Sequence, residues 1–149
     1  LDYLNKQFDL LFTSPPYFSV TDYRQDSWIR LWLLGEGPSL PDWKKDKRTT
    51  SQKFYQQMLL DVFSSARRLL KPHSIVWVRT DSREFTRNST LEILRSLWPN
   101  RKLFMRYDCP KKDTQTAHFG NVFTKSGEVD FLIPGRVNLP TLSSTWKQL

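Results

Sequence analysis

The sequence predicts an α/β domain with helices packed on a mostly parallel sheet, and three observations carry that expectation. Short apolar runs of strand length alternate with longer segments whose apolar residues recur at helical spacing. Prolines stand where segments end, as at Pro15, Pro16, Pro72 and Pro99. The intervals between the first three strand-like runs are long enough for parallel crossovers, which are right-handed by default.

The first strand, residues 7–13, is an apolar run that breaks into Ser14-Pro15-Pro16-Tyr17. Two prolines fix φ at successive positions and remove two backbone donors, so no ladder continues there. What remains is a stiff turn with carbonyl oxygens held outward. Residues 22–34 place Trp28, Leu31, Trp32 and Leu34 close to helical spacing and predict a short helix, with Trp28 and Trp32 as core residues. Residues 35–50, with two glycines, two prolines and mixed charge, read as a surface loop. Over residues 51–71, Phe54, Met58, Leu59, Val62, Phe63, Ala66, Leu69 and Leu70 share one helical face, and Pro72 ends that helix. Residues 74–78 follow as a strand. Ser89 and Glu92 have capping-box spacing, which predicts a helix opening at Ser89 and closing at Pro99. Residues 102–107 and 128–134 supply a third and a fourth strand.

Composition narrows the class. The chain has 149 residues, 38% hydrophobic and 14% aromatic, enough for one domain with a real core. No apolar run has transmembrane length, so no membrane partner is expected. The single Cys109 rules out an internal disulfide and fits a reducing, cytoplasmic setting. The formal charge of +8 favours a polyanionic partner, most simply nucleic acid. The first residue is Leu rather than Met, and the expectation is a single catalytic portion, residues 1–149, of a cropped, processed or incomplete chain.

Ligands of open α/β sheets bind at the carboxyl ends of the strands, where residues 13–18 fall. There the sequence resembles the S-adenosylmethionine-dependent amino-methyltransferases that act on exocyclic amines of DNA bases. Their catalytic motif, Asp/Asn/Ser-Pro-Pro-Tyr/Phe/Trp, closes the fourth strand of the sheet, and stands here as Ser14-Pro15-Pro16-Tyr17. Residues 61–86 resemble the family's next helix and fifth strand, with a polar rim at Arg79, Thr80 and Asp81. Residues 113–121 resemble the segment leading into the last strand pair. The resemblance implies part of a Rossmann-like methyltransferase sheet, ending in an antiparallel C-terminal hairpin.

The chemistry explains these residue types. An exocyclic amine delocalises its lone pair into the ring and is a poor nucleophile, and acceptors set against its N–H groups return electron density to nitrogen. The resemblance assigns those roles to the Ser14 side chain and the Pro15 carbonyl, with Pro16 stiffening the turn and Tyr17 stacking on the flipped base. The Ser form implies N4 of cytosine, with N6 of adenine as the alternative. Methylation of RNA or protein amides is less favoured, because Asn is usual there. A non-catalytic nucleic-acid-binding module derived from the same fold is the rival reading. A protein of this family is expected in the cytoplasm, at the nucleoid.

The family's Gly-rich cofactor turn, Asp-Pro-Phe-x-Gly-x-Gly, is missing from the sequence. Gly35-Glu36-Gly37 is the only G-x-G and reads as a loop. Four strands also fall short of the family's seven, so the adenosine-binding half is expected from a missing segment or a second chain. Thr13 and Asp2 are the positions that the resemblance places nearest the cofactor, although the short spacing of Asp2 favours a surface residue.

Lys44, Lys45, Lys47 and Arg48, beside Trp43, form the densest basic cluster, with Lys111 and Lys112 a smaller one. Both read either as DNA-contacting or as solvated loop. Cys109-Pro110 reverses the order of the C5-cytosine methyltransferase nucleophile and reads as structural. His73 and His118 lack metal-ligand company, so no metal is expected. Asp81 reads either as a substrate contact or as a cap of the following turn. If the first basic cluster tracks phosphates, replacing Lys44, Lys45, Lys47 and Arg48 weakens DNA binding across all sequences. The log K against log salt plot then flattens by up to ~0.9 for each phosphate left without its cation, as measured by titration at several salt concentrations; an unchanged slope marks a solvated loop.

Overall fold

The computed structural model describes residues 7–19, 28–35, 51–108, 127–135 and 143–149. Within them the elements are β1 (Phe8–Thr13), α1 (Trp28–Leu33), α2 (Gln52–Arg68), β2 (Leu70–Asp81), α3 (Glu84–Leu97), β3 (Phe104–Asp108), β4 (Glu128–Ile133) and β5 (Lys147–Gln148). They make a small α/β domain around one mixed sheet, ordered β1-β2-β4-β3-β5.

β1 and β2 run parallel, Leu11 opposite Val76 and Thr13 opposite Val78. β4 is antiparallel to both β2 and β3, and β5 is antiparallel to β3. The expectation of a mostly parallel sheet is therefore corrected, since one pairing is parallel and the rest are not. β3 does point the same way as β2, because each runs antiparallel to β4. It does not pair with β2, because β4 lies between them. The side chains give a physical reason: Arg79 of β2 and Arg106 of β3 both bond Asp130 of β4, so the acid belongs between the two cations. The antiparallel hairpin expected at the C-terminal end is present as β3 and β4.

Strand alternation sorts the two faces. Val76, Val78, Val129, Phe131 and Ile133 point to one side and join Tyr55, Leu59 and Phe63 of α2 and Leu94 of α3 in the core. The other face carries Trp77, Arg79, Asp130 and Arg106, with Phe12 edge-on to Trp77 at 6.0 Å. β1 forms one edge of the sheet. It is not the buried strand that its composition predicts: Phe8, Leu10 and Phe12 are 47%, 54% and 69% exposed, while Leu11 packs against the core. In α1, Trp32 is 51% exposed, so it is not the core residue its spacing predicts. Gly35 closes that helix with φ +96°, its N–H donating to the Trp32 carbonyl at 3.0 Å, a left-handed ending that glycine takes without a Cβ penalty.

α2 and α3 differ from expectation in three respects. The core face of α2 is turned toward Tyr55, leaving Phe54 and Val62 exposed. α2 ends at Arg68, and Pro72 lies within β2, where the register against β1 shifts between Phe8 and Leu10. A residue with no N–H is tolerated at such an irregularity. α3 opens at Glu84, so Ser89 is no cap: it is buried inside the helix and accepts from Gln56 Nε2 at 3.1 Å, tying α3 to α2. The turn before α3 is set by Asp81, whose Oδ1 accepts the Arg83 backbone N–H at 2.9 Å. Where β4 leaves the sheet, a Cβ on Gly135 would come within 2.5 Å of the His73 carbonyl oxygen, so only glycine allows that approach. Among the described residues, no helix is long and apolar enough to cross a membrane.

Asp130 is fully buried. It accepts from Arg79 Nε at 2.8 Å and Nη2 at 2.9 Å, from Arg106 Nη2 at 2.6 Å and from Trp77 Nε1 at 3.1 Å. Burial pushes its carboxyl up, but the hydrogen bonds from Arg79, Arg106 and Trp77 outweigh that and hold it at about 2. A carboxyl depressed in the folded state contributes stability above its unfolded value, near ~3.9. That contribution is lost as the pH falls through the folded value. Urea unfolding at a series of pH values is therefore expected to show stability dropping between pH ~4 and ~2. Asp130→Asn flattens this acid limb and lowers stability at neutral pH by about 3 kcal/mol or more, since it leaves both guanidinium groups short of their counter-charge.

Candidate functional site at the strand ends

After Thr13 the chain leaves the sheet and forms the turn of residues 14–17, and hydrogen bonds to two carbonyls, one within it and one just after it, pin it. The Tyr55 hydroxyl of α2 donates to the Pro16 carbonyl at 2.9 Å. Arg83 donates through Nη2 to the Phe18 carbonyl, and Asp81 steadies that guanidinium, accepting from its Nε at 3.0 Å and its Nη2 at 2.6 Å. The Phe18 ring sits edge-on to Phe85 at 4.6 Å and to Tyr55 at 5.4 Å. Ser19 then takes φ 57°, a left-handed turn that costs a non-glycine residue roughly 1–2 kcal/mol.

Just ahead of those two clamps, the motif's own acceptors are left differently placed. Ser14 is exposed, and Pro15 is half-buried. Among the described residues, the Pro15 carbonyl accepts no hydrogen bond, whereas the carbonyl that follows it is occupied by Tyr55. The half-buried Tyr17 donates its hydroxyl to Glu128 Oε1 at 2.9 Å. Burial raises the Tyr17 hydroxyl above its ordinary value, a hydrogen bond with Ser14 opposes this, and the Glu128 hydrogen bond and charge reinforce it, with Asp81 adding its charge. Tyr17 therefore stays a neutral donor at physiological pH.

Behind Tyr17 lies a band of charge on the same strand ends. Arg79 of β2 donates through Nη1 to Glu128 Oε2 at 3.1 Å and through Nη2 to Asp108 Oδ2 at 3.0 Å. The hydrogen bonds to Asp130 keep its guanidinium charged against the opposing effect of burial, with the charges of Asp130, Glu128 and Asp108 adding to them.

Ser14, Pro15, Pro16 and Tyr17 thus stand together at the carboxyl end of the parallel pair, and Arg79, Thr80 and Asp81 end the neighbouring strand. Thr13 is the last residue of β1, opposite Val78 on the helix-bearing side of the sheet. Asp2, Lys44, Lys45, Lys47, Arg48, Lys111 and Lys112 lie outside the described residues, as do Cys109 and His118. Asp81 caps the turn into α3, one of its two expected roles. No cluster of potential metal ligands occurs among the described residues.

Residue-by-residue reading misses Glu128, Asp108, Tyr55 and Arg83. Glu128 leaves a faint signal, since it alternates with Asp130 along β4 and so shares the charged face. Tyr55 leaves almost none, being one helical step from Phe54. No protein-family model, curated protein or solved structure gives a significant match to this chain.

Tyr55→Phe is expected to keep the core packing while removing the bond to Pro16. Stability should fall by about 1 kcal/mol, read from denaturant midpoints, and limited chymotrypsin digestion should cut faster at Tyr17 and Phe18.

Proposed function

We propose that this chain is the catalytic portion of a DNA amino-methyltransferase, which transfers a methyl group from S-adenosylmethionine to an exocyclic amine of a base, N4 of cytosine in preference to N6 of adenine. The observation that carries the reading is the clamped turn. Tyr55 and Arg83 hold the carbonyls of Pro16 and Phe18, while Ser14 is exposed and the Pro15 carbonyl accepts no hydrogen bond among the described residues. Acceptors carried on a pinned backbone at a strand end suit a weakly nucleophilic amine, because fixed dipoles need no reorganisation as charge develops. The parallel pair that continues into an antiparallel hairpin supports reading the sheet as part of a Rossmann-like methyltransferase sheet.

In this reading a base is flipped out of its stack, at a cost of a few kcal/mol, and recovers that cost against Tyr17. Ser14 and Pro15 accept the two N–H groups of the amine and draw its lone pair out of conjugation. The methyl donor would be S-adenosylmethionine, but the described residues do not fit it. Of the described glycines, Gly35 ends α1, Gly135 is closed against the His73 carbonyl, and the Gly127 carbonyl accepts the Ser82 N–H at 2.9 Å. None of them stands in an Asp-Pro-Phe-x-Gly-x-Gly turn of the kind that lets a nucleotide approach the backbone. The cofactor site accordingly belongs to another segment or a second chain, and Thr13, the last residue of β1, is the described residue that this reading sets nearest to it. The net charge of +8 supports DNA as the partner, and the lone Cys109 suits a cytoplasmic, nucleoid-associated setting. The missing Gly-rich turn favours one second reading, a nucleic-acid-binding module that has kept the turn without the reaction.

Calorimetric titration of the isolated chain with S-adenosylmethionine is expected to show no micromolar binding. In the enzyme completed by its cofactor-binding portion, Ser14→Ala should lower turnover about 100- to 1,000-fold with DNA binding nearly intact. Digestion of the modified DNA to nucleosides and mass spectrometry should give N4-methylcytosine. N6-methyladenine alone overturns the base assignment, and a fully active Ser14→Ala overturns the mechanism.

A further inference from the structure

If Tyr17 served only as a flat surface, its hydroxyl would have no task. Instead it is tied at 2.9 Å to Glu128, a residue 111 positions away on the central antiparallel strand. Glu128 is itself restrained, its second oxygen accepting from Arg79 at 3.1 Å. Arg79 is fastened to the fully buried Asp130 by two hydrogen bonds, and Asp130 is gripped from its other side by Arg106. An unbroken series of charge-assisted links therefore runs from the interior of the sheet to the far end of one aromatic ring. The turn does not need this series to keep its backbone shape, since Tyr55 and Arg83 already hold its carbonyls.

We propose that Glu128 is a positioning residue that fixes the plane of the Tyr17 ring for stacking on a captured base, with Arg79 and Asp130 as its anchor. The proposal rests on reading the strand-end turn as a base site. A ring attached only at Cβ rotates about two side-chain torsions. Holding its hydroxyl as well restricts both, so the base meets a face already in place and the complex loses less entropy on forming. Arg79 also offsets the charge of Glu128, which alone would repel the phosphates of an approaching strand. This gives the Tyr17 hydroxyl a function that a stacking surface alone lacks.

The test uses the full chain and a short single-stranded oligonucleotide carrying the fluorescent cytosine analogue pyrrolocytosine, so that no duplex has to be opened. Wild-type protein is expected to quench the analogue on binding, and Tyr17→Ala to abolish the quenching. Glu128→Ala and Tyr17→Phe should each weaken the quenched complex about tenfold, the effect of removing one charge-assisted hydrogen bond. The double variant should be no weaker than either single one, because both remove the same bond. Glu128→Gln keeps an acceptor oxygen and should retain most of the affinity. A separate readout is the titration of the Tyr17 hydroxyl, followed by NMR of ring-labelled tyrosine and assigned with Tyr17→Phe, which should move to lower pH in Glu128→Ala. If Glu128→Ala does not fold, a loss in Tyr17→Phe with retention in Glu128→Gln carries the same expectation. Equal affinity of wild type, Tyr17→Phe and Glu128→Ala, with Tyr17→Ala still defective, overturns the role of Glu128 and leaves the base site standing. Absence of quenching by the wild type overturns both.

Discussion

The buried carboxylate of Asp130 is the constraint on which the rest of this structure depends. An isolated charge in that position would be prohibitively costly, and two guanidinium groups and an indole N–H make it tolerable. Those partners come from β2 and β3, so satisfying one acid puts three strands in fixed order and register. Cross-strand pairing of Arg79 and Arg106 with Asp130 admits no one-residue slip, because a slip of any one strand would send its own member of the trio to the opposite face. The hydrophobic face then follows without further choice, since alternation sends Val76, Val78, Val129 and Phe131 toward α2 and α3.

The same network reaches the candidate site. Arg79 carries the influence of Asp130 outward to Glu128 and Asp108 at the strand ends, and Glu128 passes it to Tyr17. The motif is thus held in two independent ways. Its backbone is set by Tyr55 and Arg83, and its aromatic ring by the charge network. Under the proposed function these correspond to the two demands of the chemistry, fixed acceptors for the amine and a fixed face for the ring of the base.

What the sequence makes legible is local. Ser14-Pro15-Pro16-Tyr17 announces its stiffness through its own covalent constraints, and an apolar run before it announces a strand, so the turn stands where it is expected. The long amphipathic helix, the second strand and the hairpin are read for the same reason. Signals that depend on partners are misread. Pro72 looks like a helix stop, yet Leu69 already caps α2 and the proline lies in a register shift. Ser89 and Glu92 have the spacing of a cap, but Asp81 sets the turn before α3 and Ser89 serves an inter-helix bond. The apolar residues of β1 look buried, because alternation cannot say whether an edge will be covered. Glu128 and Tyr55 matter through contacts with residues far along the chain, and no window of neighbouring residues contains those contacts.

The place of β4 in the sheet also bears on how the chain comes to be folded during synthesis. β4 is made after β2, α3 and β3, yet it occupies the position between two of them. While the first part of the chain emerges from the ribosome, β2 and β3 have no strand to bridge them, and Arg79 and Arg106 have no Asp130. The core face likewise lacks Val129, Phe131 and Ile133 until residues 128–133 are free. A nascent chain of this topology can form the β1–β2 pair and the two helices early, but the domain closes only when a late strand threads into a waiting gap. Such non-local closure is slow and leaves two strand edges open in the meantime. The interval before that insertion is when β2 and β3 lie open to pairing with the wrong neighbour.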